Sequence, residues 1–403
     1  MSKRLPSHLF DLPVQEIRSG YRSDIYFWRE KIVLQQHRIK ARVTMQIFQK
    51  KNAVLCGMDE ALAVLKVGSG WFRDRAKAER LFKRFLDLKA RAREQFSGDR
   101  VEYMRLLHDK LILSEELDSL WQSGYEHLEV AALHDGDRIT PWEPVMHITG
   151  EAHLFAHLET IYLGVLARRT KVATNVRNVV EAANDKIVLF FPARFDHWSV
   201  QGGDGYAAHI GGVTGVSTEA QGEWWGARAA GTVPHALIAA LNGDTVTAVR
   251  LFGRSFPDVN LVALVDYDND CVRTSLECAR ALGDSLWGVR LDTSENLVDR
   301  SILPVMGSFR PTGVNAELVK RTREALDREG FSEVKIIVSG GFDPQRIAEF
   351  EAGGVPVDAY GVGSALLAGS NDFTADVVLL NGKPSAKVGR GYIPSDRLLP
   401  VEW

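Results

Sequence analysis

The sequence predicts an α/β protein: an N-terminal domain of mixed strands and helices, then a barrel or partial barrel of parallel strands covered by helices. Three observations predict this. From Ile187 onward, short apolar runs alternate with helical segments: IVLFF, HIGGVTGVS, a helix around His235, NLVALV, WGVRL, KIIVSGG and VDAYGVGS. Such alternation builds parallel sheets with both faces covered. Two successive units within Ile336–Leu366 end their strands in glycine-rich turns, Ser339-Gly340-Gly341 and Gly361-Val362-Gly363-Ser364, on the same edge of the sheet. Finally, 403 residues suggest two or three domains, and the texture of the chain changes near Gly150. The expected division is 1–150, joined by 375–403, and 151–374.

Bulk properties narrow the class. Hydrophobic content of 45% and charged content of 25% are ordinary for a globular protein. A net charge of -3 argues against a dominant nucleic-acid role. The three cysteines, Cys56, Cys271 and Cys278, form no CxxC and fit a reducing compartment. MSKRLPSHLFDLPVQE lacks the apolar core of a signal peptide. No apolar run approaches the roughly 20 residues of a membrane span. The expectation is a cytoplasmic protein with no membrane partner.

In chain order, Gly20–Glu30 sets Asp24, Tyr26 and Trp28 at alternate positions, which reads as a half-buried edge strand. Val43–Phe48 reads as a strand and Met58–Leu65 as a helix. Trp71–Phe96 reads as one amphipathic helix, with Ala78, Leu81, Phe82, Phe85, Leu88 and Ala92 as its apolar stripe. Its basic face is interspersed with acids and is read as solvated. A further helix is expected after Ser114, with Glu115 and Glu116 in its first turn. His127–Leu133 and Val145–Thr149 read as strands around an Asp135-Gly136 turn. Ala152–Ala167 is expected to be a long apolar helix containing Glu159, followed by another. In the centre of the pattern, Ile336–Val338 is a buried strand; Asp343 caps the next helix, Pro344 opens it and Gly353-Gly354 closes it. The tail around Asn381-Gly382 reads as a hairpin that returns to the first domain.

Chemistry is expected at the strand C-termini. In barrels the last two strand-end loops commonly hold phosphate. Glycines there let a phosphate oxygen reach backbone N–H groups, and Ser339 and Ser364 add hydroxyl donors. Each turn alone could be only a tight turn; the pair favours phosphate, without naming the ester. Asp266, Asp268 and Asp270 follow LVALV, and Asp292 follows WGVRL. They suit ribose hydroxyls or a Mg²⁺–diphosphate, or else helix capping. Arg194, directly after IVLFFPA, is the best placed of several cations (with Arg168, Arg169 and Lys171) to fork onto a carboxylate. His235, after Pro234, could be a nucleophile, a base or an ordinary helix-start residue.

Taken together, these segments resemble the nicotinate phosphoribosyltransferase family. SDIYF, HDGDRITPWEPVMHITG, ETIYLGVLARRTKVAT, FFPARFDHW, HIGGVTGVS, GTVPHAL, LVDYDND, GVRLDTSEN, SGGFD and YGVGS fall in the family's order, from about residue 15 to about residue 370. The resemblance implies an N-terminal α/β sandwich and an irregular, partial α/β barrel of the type II phosphoribosyltransferase kind. It implies that nicotinate and 5-phosphoribosyl 1-diphosphate give nicotinate mononucleotide and diphosphate, in the salvage branch of NAD biosynthesis, with coupled ATP hydrolysis. His235 would be the histidine phosphorylated by ATP, Val233 standing where the family's GTMPH has methionine. Ser339, Gly340, Gly341, Gly361, Gly363 and Ser364 would hold the phosphoribosyl diphosphate, with Asp268 and Asp292 toward its ribose and Mg²⁺. Arg194 would pair with the nicotinate carboxylate. Tyr26 and Asp24 would approach the pyridine across a subunit interface, which implies a homodimer or higher homo-oligomer.

The chain departs from the family where Arg194-Phe195 replaces a pair of arginines, although His197 is kept. ARRTKVAT replaces a SGIAT-type segment and GVGS replaces GVGT. The alternatives are a phosphoribosyltransferase of the same fold acting on quinolinate or another pyridine acid, and a non-catalytic pyridine-nucleotide sensor. A phosphosugar isomerase or aldolase barrel fits less well, having no use for the N-terminal domain.

Overall fold

The computed structural model describes residues 4–402. The chain forms two compact units: the first extends to Thr170 and resumes from Asn371, and the second is Lys171–Ser370. The chain passes between them within the helix Glu159–Ala182. Gly150 itself lies inside the strand Pro144–Glu151, paired with Val43.

The first unit is built on a six-stranded sheet. Its order is Lys383–Pro384, Thr374–Leu380, Arg42–Phe48, Pro144–Glu151, Glu129–Ala132 and Leu399–Pro400, and every pairing is antiparallel. Val43, Met45 and Ile47 alternate along the central strand and join Leu55, Leu62, Leu65, Val145 and Ile148 in the core. The other face is polar but covered: Thr44 and Thr149 share a hydroxyl hydrogen bond of 2.8 Å, and Gln46 accepts from the Ile393 N–H. The C-terminal segment thus completes the sheet. Asn381 and Gly382, at φ 50° and 76°, make the hairpin turn that pairs Leu380 with Lys383.

Beside the sheet, helices Arg75–Gln95 and Arg100–Leu120 pack on each other through Ala78, Leu81, Phe85, Leu113 and Leu117. Asp74 and Asp99 cap them by accepting from the N–H groups of Lys77 and of Val101 and Glu102.

Four local expectations are corrected here. Gly20–Glu30 is no edge strand: Ile25–Gln36 is a helix, with Asp24 at its N-cap. Three alternating residues fit either period, and Trp28 instead folds back over Gly20, whose added Cβ would stand 2.3 Å from the ring. The helix expected after Ser114 begins at Arg100 instead, because Asp99 caps it and the Leu106–Leu113–Leu117 seam continues through Ser114. The helix expected over Trp71–Phe96 starts at Arg75, since Gly70–Phe72 pairs with Trp121–Ser123 as a short strand. Ala152–Ala167 and its successor are not two helices. Two 3₁₀ turns, Ala152–Leu154 and Ala156–Leu158, precede one helix, Glu159–Ala182.

The second unit is an open half-barrel. Its six strands are all parallel, in the order Val262–Leu264, Gly288–Leu291, Lys335–Val338, Ala359–Val362, Ile187–Phe190 and Gly215–Val216. Ile336, Val338, Ala359, Tyr360 and Val362 are buried, as a sheet with both faces covered requires. Side chains of Asp244, Asp270, Asn315 and Asp343 cap the intervening helices Thr245–Ser255, Cys271–Leu282, Ala316–Arg328 and Pro344–Ala352. Among the described residues no helix is long and apolar enough to cross a membrane.

Candidate active site

Parallel pairing brings the two glycine turns together. Ile337 and Val338 face Ala359 and Tyr360, so Ser339-Gly340-Gly341 and Gly361-Val362-Gly363-Ser364 leave the sheet side by side. Gly340 and Gly341 adopt φ of 88° and 72°, a conformation that strains any residue with a Cβ. The glycines of the second turn are needed for space. A Cβ on Gly361 would lie 2.8 Å from the Phe191 ring, and one on Gly363 would lie 2.7 Å from the Phe195 ring.

Both turns line a cavity of about 390 Å³, together with Arg194 and Asp292. Eight of the expected site residues therefore share one space: Arg194, Asp292, Ser339, Gly340, Gly341, Gly361, Gly363 and Ser364. Arg194 sits in the 3₁₀ turn Ala193–Phe195 that follows the strand Ile187–Phe190. Its guanidinium lies 5.5 Å from the centre of the Phe195 ring, a cation–π contact. Asp292, just beyond the strand Gly288–Leu291, accepts from the Ser339 hydroxyl at 2.6 Å, tying the carboxylate to the first glycine turn.

His235 is the first residue of the helix His235–Ala240, and its neighbour Pro234 lines the cavity. Its Nε2 lies 3.0 Å from Asp266 Oδ1. Burial pushes the Asp266 carboxyl above the usual range, while His235 pulls it back down. The other two acids after LVALV have different duties. Asp270 caps a helix, and Asp268 pairs with Arg273 Nη2 at 2.9 Å, outside the cavity lining.

Asp24 and Tyr26 belong to the first unit. Asp24 Oδ2 accepts from the Thr160 hydroxyl at 2.9 Å, and Tyr26 is 60% exposed with its ring against Phe27.

The sequence reading passed over Arg290. This side chain donates to the Thr232 hydroxyl at 2.6 Å and to Asp292 Oδ2 at 3.2 Å, and it lines the cavity. A signal existed: a cation in the apolar run WGVRL, two residues before Asp292, shares its face of the strand. Phe191 and Ser217 also line the cavity, and neither announces itself in sequence.

The sequence matches no protein-family model. A nicotinate phosphoribosyltransferase of Mycobacterium tuberculosis is 31% identical over 252 residues, 60% of this chain and 51% of that protein. One from Bacillus subtilis is 26% identical over 245 residues, 59% of this chain and 45% of that protein. Among solved structures, a nicotinate-nucleotide pyrophosphorylase from Pyrococcus furiosus superposes with a TM-score of 0.69 at 30% identity, over 93% of this chain and 79% of the other. This chain belongs to the nicotinate phosphoribosyltransferase family. The human nicotinic acid phosphoribosyltransferase, at 18% identity and a TM-score of 0.63 over 92% of this chain and 77% of that one, shares the fold. The half-barrel is thus that of the type II phosphoribosyltransferases. The chain spans about half the length of the curated relatives it matches.

Proposed function

We propose that this member of the family catalyses the reaction of nicotinate with 5-phosphoribosyl 1-diphosphate, giving nicotinate mononucleotide and diphosphate in NAD salvage. One observation carries the reading: a single cavity is lined both by two glycine turns suited to a phosphate and by Arg194. Its volume, about 390 Å³, suits a small substrate, and its Phe191 and Phe195 rings give an apolar flank for a pyridine ring.

In this reading the glycine turns and Ser364 receive the 5′-phosphate. Arg194 forks onto the nicotinate carboxylate. Asp292, held by Ser339 and Arg290, meets the ribose hydroxyls. The pyridine nitrogen attacks the anomeric carbon as the bond to the diphosphate oxygen breaks, through an oxocarbenium-like centre. The nitrogen carries its own lone pair, so no general base is required; the protein contributes alignment and charge neutralisation.

The donor set fits Mg²⁺ in the form it takes with a diphosphate. Among the described residues no group of three or more His, Cys, Asp or Glu side chains is assembled to hold a metal. Asp292 on the cavity wall offers one hard carboxylate, and Mg²⁺ uses one or two together with substrate oxygens; Asp268, the second proposed ligand, would have to leave Arg273 to join it. Bound there, it would neutralise the departing diphosphate.

ATP is the proposed co-substrate, through His235. With Nε2–H donating to Asp266, the imidazole lone pair resides on Nδ1, a nucleophile for the γ-phosphoryl group. The new N–P bond forms as the bond to the β-phosphate oxygen breaks and ADP leaves. Tyr26 and Asp24 are proposed to act from a second copy of the chain, making the active form a homodimer or higher homo-oligomer.

The test is product formation from nicotinate, phosphoribosyl diphosphate and Mg²⁺, with and without ATP, in wild type and His235→Ala. Nicotinate mononucleotide formation stimulated by ATP only in the wild type supports the whole scheme. Turnover indifferent to ATP and to His235 removes the phosphohistidine step. Product from quinolinate but not from nicotinate assigns the sibling activity.

A further inference from the structure

Arg346 lies outside the cavity lining, on the third residue of the helix Pro344–Ala352, directly after the first glycine turn. Its backbone N–H is fixed by the capping Asp343, which accepts it at 2.8 Å. From there the side chain reaches back. Nη1 donates to the Gly340 carbonyl at 3.0 Å and to the Gly341 carbonyl at 3.1 Å, while Nη2 donates to the Val314 carbonyl. The guanidinium also lies 4.3 Å from the centre of the buried Phe342 ring. Three carbonyls and a ring face therefore fix its position.

The consequence follows from peptide geometry. In a planar trans peptide the C=O and the N–H of the next residue point in opposite directions. Where the Gly340 and Gly341 carbonyls turn to Arg346, the N–H groups of Gly341 and Phe342 turn away from it. Gly341 and Phe342 line the cavity, and neither N–H donates to a protein acceptor among the described residues. Two adjacent glycines, at φ 88° and 72°, would not keep this arrangement unaided. Glycine peptides reorient at low cost, and a reoriented peptide would set a carbonyl oxygen against an anion.

We propose that Arg346 is the positioning residue of the phosphate loop: by holding the Gly340 and Gly341 carbonyls on the far side, it keeps the Gly341 and Phe342 N–H groups turned to the cavity, ready for the 5′-phosphate. The proposal rests on reading that cavity as the phosphoribosyl site. Arginine suits the task because its planar fork engages several carbonyls at once; lysine, a single ammonium, engages fewer with less directional control.

The experiment measures inorganic phosphate binding by calorimetry and steady-state kinetics in wild type, Arg346→Ala and Arg346→Lys. Expected for Arg346→Ala is a loss of about tenfold or more in phosphate affinity and a matching rise in KM for phosphoribosyl diphosphate, with kcat and KM for nicotinate near wild type. Arg346→Lys should fall between the two. Wild-type phosphate affinity in either variant overturns the proposal. So does an equal loss in every kinetic constant with earlier melting, which would assign Arg346 to the fold alone. If Arg346→Ala does not fold, Arg346→Lys decides by the same phosphate measurement. A wild type that binds neither phosphate nor phosphoribosyl diphosphate overturns the reading of the cavity itself, an outcome distinct from a variant that binds as wild type does.

Discussion

Replacing Arg194 by alanine tests the carboxylate assignment most directly. Two guanidinium groups line the cavity, but Arg290 is already engaged by Thr232 and Asp292. Arg194 contacts only the Phe195 ring and has no carboxylate partner among the described residues. In the proposed reading, recognition of a substrate carboxylate therefore falls mainly to Arg194. A hydrogen bond to a charged group contributes about 1.5–3 kcal/mol, and solvent exposure of this side chain argues for the lower end. At about 1.4 kcal/mol per factor of ten, KM for nicotinate should rise about tenfold to thirtyfold. KM for phosphoribosyl diphosphate should stay within about twofold, because the glycine turns are untouched. Nicotinamide, which lacks the carboxylate, supplies the other half of a cycle: the preference for nicotinate over nicotinamide should fall by the same factor. Initial-rate kinetics with both pyridines would measure this. An unchanged nicotinate KM with an unchanged preference would refute the assignment and turn attention to Arg290.

Three further outcomes are expected. Gly361→Ala should destabilise the second unit by about 1–3 kcal/mol, read as a lower urea midpoint, because the new Cβ would meet Phe191 at 2.8 Å; Phe191→Leu in the same chain should restore part of the loss. Asp266→Asn should abolish or strongly reduce the ATP stimulation while leaving ATP-independent turnover measurable, since only the partner that orients His235 is altered. Glu159 gives a pH dependence. Burial first, then Glu30, Asp376 and Asp24, raise its carboxyl to about 8 from an ordinary 4.5. The folded state then binds more protons than the unfolded one between those values, so its stability falls as pH rises through that window. Glu159→Gln should flatten the fall by on the order of 1–2 kcal/mol between pH 5 and 8 in urea titrations, allowing for partial solvent screening; an unchanged slope would show that Glu159 ionises normally.

The sequence by itself determined the architecture of the second unit and much of its site. Long apolar runs closed by glycine leave few options but buried parallel strands, and a residue at a strand's end has its position set by topology. That is why Arg194, Asp292, Ser339 and the glycines could be assigned to one edge before any fold was known. Local pattern was weakest where the spans were short or the signal ambiguous. Asp24, Tyr26 and Trp28 alternate like a strand but lie at the start of a helix, where the packing of Trp28 over Gly20 matters more than a three-residue pattern. Ser114 looks like a cap, yet its helix continues because the Leu113–Leu117 seam is buried against a neighbour. Only the tertiary structure decided which polar groups meet. The Asp266–His235 pair spans 31 residues and the Ser339–Asp292 bond spans 47. The arginine clamp behind Gly340 and Gly341 depends on carbonyl directions that no residue pattern records. Strand order and strand ends are written in local hydrophobicity and glycine; hydrogen-bond partners are chosen by the three-dimensional approach of segments distant in the chain.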